Sequence, residues 1–208
     1  MALRKEYGDP GWWPGDTPFE IAVGAVLTQR TSWENAERAI SELKRRRMLS
    51  PRALAKAPLP RIESMVRQSG FYKQKARYLK ALSRHIVENY GGHIAEMRGR
   101  PLADLRKELL GIPGIGRETA DSILLYVLGV PSFVVDAYTF RLMGRLGMSS
   151  VRDYDIMKAR FETALDHNVK DLADMHALIV LHCKTQCRKG ARCGECCVRV
   201  KCPSNREH

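Results

Sequence analysis

The sequence predicts an all-α globular fold. Three observations carry the prediction: helix starts in which a capping residue precedes proline, apolar residues recurring at helical spacing, and no convincing strand alternation joined by hairpin turns. Thr17-Pro18-Phe19-Glu20 reads as a helix start, with Thr as cap, Pro at the first helical position and Glu at the third. Ser50-Pro51 repeats the signal. Tyr72, Ala76, Leu79, Leu82 and Ile86 share one helical face, and Gly91-Gly92 closes that helix. Leu102, Leu105, Leu109 and Leu110 do the same after Pro101. Further helices are expected at about 117–128, 138–146, 153–166 and 171–183. Val134-Val135 is too short to argue for a sheet.

Composition sets the outer bounds. The chain has 208 residues, of which 44% are hydrophobic, enough for one domain or two small ones. A chain of this length buries roughly 70% of its unfolded surface. Collagen-like, low-complexity and disordered classes are excluded. The longest apolar run, Ile123 to Leu128, is far short of the ~20 residues of a spanning helix. The first residues, Met1 to Glu6, show no apolar segment of the secretory kind, so an intracellular protein is expected.

The net charge of +12 is segregated. Residues 44–84 hold thirteen Lys or Arg and one acid, Glu63, a net of +12; residues 184–206 hold seven bases and Glu195, a net of +6. Two basic segments on a mildly acidic body suit a polyanion, because each neutralised phosphate releases counterions. For a single run such as Lys44-Arg45-Arg46-Arg47 a solvated helix face is an equal alternative.

The sharpest local signal is Leu110-Gly111-Ile112-Pro113-Gly114-Ile115-Gly116, between two helical patterns. Its glycines permit positive φ and close backbone approach. A turn that aims unpaired N–H groups outward suits a phosphate, though it could also be an ordinary tight turn between packed helices.

This stretch resembles the helix-hairpin-helix of the endonuclease III superfamily of DNA glycosylases. The resemblance continues through Arg117-Glu118-Thr119-Ala120-Asp121 to Val134-Val135-Asp136-Ala137-Tyr138, and covers nearly the whole chain with Leu27-Thr28-Gln29 and Gly70-Phe71-Tyr72. It implies two helical domains flanking a DNA cleft: a six-helix domain at 19–130 with the hairpin at about 103–122, and a discontinuous second domain from 1–18 and 131–208. It also implies that the hairpin grips the DNA backbone, through Gly111, Ile112, Gly114, Gly116 and Arg117.

Asp136 matches the family aspartate. Breaking an N-glycosidic bond builds positive charge on the sugar, and a carboxylate stabilises that cation or activates water against it. An Asp before a helix is also an ordinary N-cap, and Asp136 can be both. Glu118 is a departure. Bifunctional members carry a lysine there, whose amine attacks the sugar and forms a Schiff base. A carboxylate cannot, so base removal by water without strand cleavage is expected. Glu118 also fits a surface residue of a first helical turn.

All three tryptophans lie early: Trp12, Trp13 and Trp33. Their arrangement, with Gly24-Ala25-Val26-Leu27-Thr28-Gln29 and Ser69-Gly70-Phe71-Tyr72-Lys73-Gln74-Lys75-Ala76, resembles the 3-methyladenine-specific branch of the superfamily. There two aromatic rings sandwich the extruded base, and Trp13 and Trp33 match, with Trp12 beside them. An N-alkylated purine is cationic, so stacking on indole gains a cation–π contribution. The alternative is that these rings are core or domain-seam residues. A flipped base leaves a gap that must be filled. Gln29 and Phe71 match the family residues that enter it, with Tyr72, Lys73 and Lys75 adjacent for DNA contact. Without the resemblance, Phe71 reads as core.

Six cysteines, Cys183, Cys187, Cys193, Cys196, Cys197 and Cys202, fall in the last 26 residues. Clustering in an intracellular chain argues for a metal site over disulfides. The pattern Cys187-x5-Cys193-x2-Cys196-x5-Cys202 resembles the family's loop for a [4Fe–4S] cluster. The family's usual first gap is six residues; here it is five, which leaves Cys183 in reserve for Cys187, as Cys197 is for Cys196. Structural zinc also accepts four thiolates.

The resulting expectation is a monomeric, monofunctional DNA glycosylase acting on double-stranded DNA with a damaged base, an alkylated purine such as 3-methyladenine. Alternatives are a glycosylase for oxidised or mismatched pyrimidines, a lyase using another amine such as Lys184, and a non-catalytic DNA-binding module with a zinc tail. The basic segments are expected to face one DNA cleft with Asp136 between them.

Overall fold

A computed structural model describes residues 2–148 and 153–205. All regular structure among them is helical. In chain order the α-helices are α1 (Ala2–Tyr7), α2 (Pro18–Leu27), α3 (Trp33–Arg45), α4 (Pro51–Lys56), α5 (Leu59–Val66), α6 (Tyr72–Tyr90), α7 (Leu102–Leu110), α8 (Arg117–Ser122), α9 (Ala137–Arg145), α10 (Tyr154–Ala164) and α11 (Val169–Thr185). No helix among the described residues is long and apolar enough to cross a membrane. The chain divides into two compact units, Pro14–Val130 and Met1–Trp13 with Pro131–His208.

In the Pro14–Val130 unit the capping signals act as the sequence implies. Thr17 Oγ1 accepts from Glu20 N at 3.2 Å to start α2, and Ser50 Oγ accepts from Ala53 N at 3.2 Å to start α4. The helix α2 is buried nearly all round, with Phe19, Ala22, Val23, Val26 and Leu27 in the core. A helix apolar on every face belongs at a domain centre. Against it pack α3, α6 and α8. On α6, Ala76, Leu79, Leu82 and Ile86 face inward, and Gly91 ends the helix at φ +57°. The expected helix at 117–128 is not uniform: α8 stops at Ser122, and Ile123–Leu128 continues with the wider π-helical hydrogen bonding. That apolar segment is wholly buried apart from Tyr126.

In the other unit, α1 and α9 pack on α11. Asp153 and Asn168 cap α10 and α11 through their side chains. The Phe133 ring stacks on Phe161, centroids 4.1 Å apart, and its backbone N–H donates to Glu162 Oε1 at 2.9 Å. Lys158 pairs with the same buried carboxylate.

Candidate functional site

The glycine-rich turn joins α7 to α8. Of its three glycines only Gly114 uses positive φ, at +85°; Gly111 lies at −74° and Gly116 at −86°. A Cβ on Gly114 would stand 2.0 Å from the Tyr78 ring, so close approach to α6 also requires glycine there. Ile112 and Ile115 point into the core and anchor the turn. Gly116 caps α8 with no side-chain hydrogen bond, and Arg117 and Glu118 stand exposed in the first turn. The turn lines an open cavity of about 760 Å³ together with Gln29, Phe71, Lys75, Tyr78 and Thr119.

Several residues expected at the DNA gather around this cavity. Gln29 Nε2 donates to Gly114 O and to Thr119 Oγ1, both at 3.0 Å, tying the end of α2 to the hairpin. Phe71 is 58% exposed and sits at φ +45°, one residue before α6. Its reading as a core residue is therefore wrong: an apolar ring is held outward on a left-handed backbone. Lys73 is exposed, and Tyr72 is half-buried beneath the Arg67 guanidinium, 5.7 Å from its ring centroid. Lys75 departs from the expected phosphate contact. It is 1% exposed, and its Nζ donates to Leu27 O at 2.8 Å and Ser69 O at 2.5 Å. Burial pulls its pKa down to about 8.

The basic segment 44–84 presents less charge than it contains. Lys44 pairs with Asp16 at 2.7 Å and Glu20 at 2.6 Å. Arg45 and Arg46 both pair with Glu42, and their hydrogen bonds hold its carboxyl down to about 2. Arg52 and Lys80 donate to the carbonyls of Gly91 and Ala57. The run at 44–46 is thus an acid-paired helix end.

Asp136 caps α9 and is 9% exposed. Its Oδ1 accepts from Thr139 N at 2.7 Å and from Thr139 Oγ1 at 2.9 Å; its Oδ2 lies 3.7 Å from His176 Nε2. Burial pushes the carboxyl pKa up, but His176 and the Thr139 hydrogen bonds outweigh it, and the group is held below its ordinary range. A buried carboxylate kept charged is suited to stabilising a cation. Thr139 was legible as the partner in a capping box three residues on; His176, forty residues away on α11, carries no local signal. The Trp12 and Trp13 rings meet edge to face with centroids 5.8 Å apart, both half-buried. Trp33 opens α3 behind the Ser32 cap and packs partly against the core.

The cysteines sort themselves. A cavity of about 440 Å³ is lined by Cys187, Cys193, Cys196 and Cys202, and by neither Cys183 nor Cys197. Arg145, at the end of α9, donates to Cys187 Sγ at 3.2 Å and to the carbonyls of Arg188 and Lys189. The Cys187 thiol is held below its ordinary range, first by the Cys183 side chain and then by Arg145. Cys183 is pushed up by the same contact and by burial, and its Sγ lies 3.6 Å from Tyr138 O. Among the described residues no three His, Cys, Asp or Glu groups converge tightly enough for a single ion. Four thiols lining one cavity are a donor set that suits either structural zinc or an iron–sulfur cluster.

The chain is similar to known proteins along most of its length. Residues 23–167 match the HhH-GPD superfamily base excision DNA repair proteins. A protein of Methanocaldococcus jannaschii, named provisionally as a DNA repair glycosylase, is 46% identical over 97% of this chain and 93% of its own length. Endonuclease III of Thermotoga maritima is 36% identical over 65% of this chain and 59% of its own. The crystal structure of H. pylori 3-methyladenine DNA glycosylase bound to 1,N6-ethenoadenine superposes with a TM-score of 0.76 at 29% identity, over 88% of this chain and 91% of that one. The chain belongs to the HhH-GPD superfamily of base excision DNA repair proteins.

Proposed function

We propose that the protein is a monofunctional DNA glycosylase that removes an N-alkylated purine, 3-methyladenine in the first instance, by hydrolysis. The observation that carries the reading is Asp136, a buried carboxylate kept charged by His176 and Thr139, in a chain whose residue eighteen positions earlier is Glu118. The hairpin backbone holds the DNA strand, with Arg117 and Lys73 adding charge. Phe71 and Gln29 fill the gap left by the flipped nucleotide. Trp13, Trp33 and Trp12 supply aromatic faces for a cationic base. Its positive charge already makes it a good leaving group, so the protein need not protonate it. As the bond breaks, Asp136 stabilises the developing sugar cation and orients water toward it. The products are free base and an abasic site.

Cys187, Cys193, Cys196 and Cys202 are the residues we assign to a [4Fe–4S] cluster. Such a cluster supplies a rigid cross-link for the basic loop Arg188–Lys201. Chemistry at the sugar is left to Asp136.

The likeness to the H. pylori enzyme supports the alkylpurine reading. The 36% identity to Endonuclease III favours a second one, action on oxidised or mismatched pyrimidines. Chromatography of bases released from methylated DNA, beside duplexes carrying single oxidised pyrimidines, separates the two. Release of 3-methyladenine alone is expected; release of the pyrimidine alone would transfer the assignment to the second.

A further inference from the structure

We infer that Lys75 is a positioning residue: its buried ammonium staples together the two segments that carry Gln29 and Phe71, so that both stand ready to enter the duplex as one rigid wedge. The inference rests on the DNA reading above and deepens it. Lys75 Nζ donates to Leu27 O, the last carbonyl of α2 and two residues before Gln29. It also donates to Ser69 O, two residues before Phe71. Between Ser69 and α6 the chain passes through Gly70 at φ +67° and Phe71 at φ +45°, a conformation that a non-glycine residue keeps only when its surroundings impose it. The third tie is Gln29 itself, whose amide holds Gly114 O and Thr119 Oγ1. One turn after Lys75 on α6, Tyr78 packs on Gly114. Hairpin, α2 end and Phe71 loop are therefore joined around one face of α6.

A lysine is a costly way to fill this space. Methionine would match its length without burying a charge. What methionine lacks is donors for two carbonyls that leave different segments. The charge persists at neutral pH, since burial brings the pKa only to about 8, and a charged donor makes the stronger bond.

The test uses a duplex with a tetrahydrofuran abasic analogue and 2-aminopurine on the opposite strand, so no lesion need be known. Wild-type binding is expected to raise 2-aminopurine fluorescence, and Phe71→Ala to lose that rise. Lys75→Met, checked as folded by circular dichroism, is expected to lower the fraction of wedged complex by about tenfold, the equivalent of one lost charged hydrogen bond. Its slope of log affinity against log salt should equal that of wild type. Lys75→Gln, whose amide keeps two donors, is expected to recover part of the signal, and carries the comparison if Lys75→Met does not fold. A salt slope reduced by about one, with the fluorescence rise intact, would make Lys75 a phosphate contact and overturn the inference. An unchanged signal in both variants would overturn it too. If wild type itself gives no rise, or Phe71→Ala keeps it, the wedge reading fails and this inference with it.

Discussion

The hairpin region and the Asp136 region are built on opposite plans. Around Gly114 the working surface is open and largely main chain: a positive-φ glycine, a cavity of about 760 Å³, and side chains that hold backbone carbonyls. Around Asp136 it is closed and made of side chains: a carboxylate 9% exposed, two Thr139 donors and His176 behind it. A flexible, sequence-variable polyanion is well met by backbone and an open groove. A short-lived cation on one sugar needs a charge fixed before it arrives. Under the proposed function the first region would grip DNA and the second would carry the chemistry, and substitutions should divide accordingly.

The largest effect is expected from Asp136→Asn. Asparagine is as good an N-cap, so α9 should persist and DNA affinity should be unchanged. Single-turnover base release should fall by roughly 10²–10³-fold, the usual cost of removing a key electrostatic or acid–base group. A parallel fall in affinity would break the division of labour.

Gly114→Ala attacks the other region. It forces both positive φ and a Cβ into the Tyr78 ring, so a loss of about 3 kcal/mol is expected from strain and overpacking together. Urea unfolding measures it. The residual folded enzyme should show weakened binding with its rate on saturating DNA little altered.

The cysteine loop sharpens the contrast, because α9 is capped by Asp136 and ends at Arg145, which holds Cys187 and two loop carbonyls. Cys202→Ser should cut iron content and visible absorbance severalfold and slow base release moderately. Cys197→Ser should leave all three unchanged, and the reverse ranking would reassign the ligands.

The smallest effect is in acid. The Asp136 pKa is lowered on folding, so its contribution to stability is complete above the unfolded value of about 3.9 and is lost as pH falls through the lower folded value. Unfolding midpoints followed downward from pH 5 should show a shallower decline for Asp136→Asn than for wild type.

How much of this was legible depended on how local its cause is. The caps at Thr17 and Ser50, the hairpin glycines and the four cysteines lining one cavity all announce themselves within a few residues. The helix α3 has no start signal as plain as cap-plus-proline, and α1 is held by ion pairs of Arg4 with Asp171 and Asp174. Lys75 and His176 carry no local signal of their roles, because Leu27 lies 48 residues from Lys75 and Asp136 lies 40 from His176. Charge was the most deceptive quantity: the sum over 44–84 counts Lys44, Arg45 and Arg46, whose acids Asp16, Glu20 and Glu42 lie outside that window.

Hydrolysis by a charged Asp136 without a Schiff base can be checked by treating reacting wild-type enzyme and methylated DNA with sodium borohydride, while released base and strand integrity are followed together. The expected result is 3-methyladenine in the supernatant, abasic but unbroken strands, and no protein–DNA adduct. A trapped adduct, with strand breaks appearing in step with base release, would contradict it.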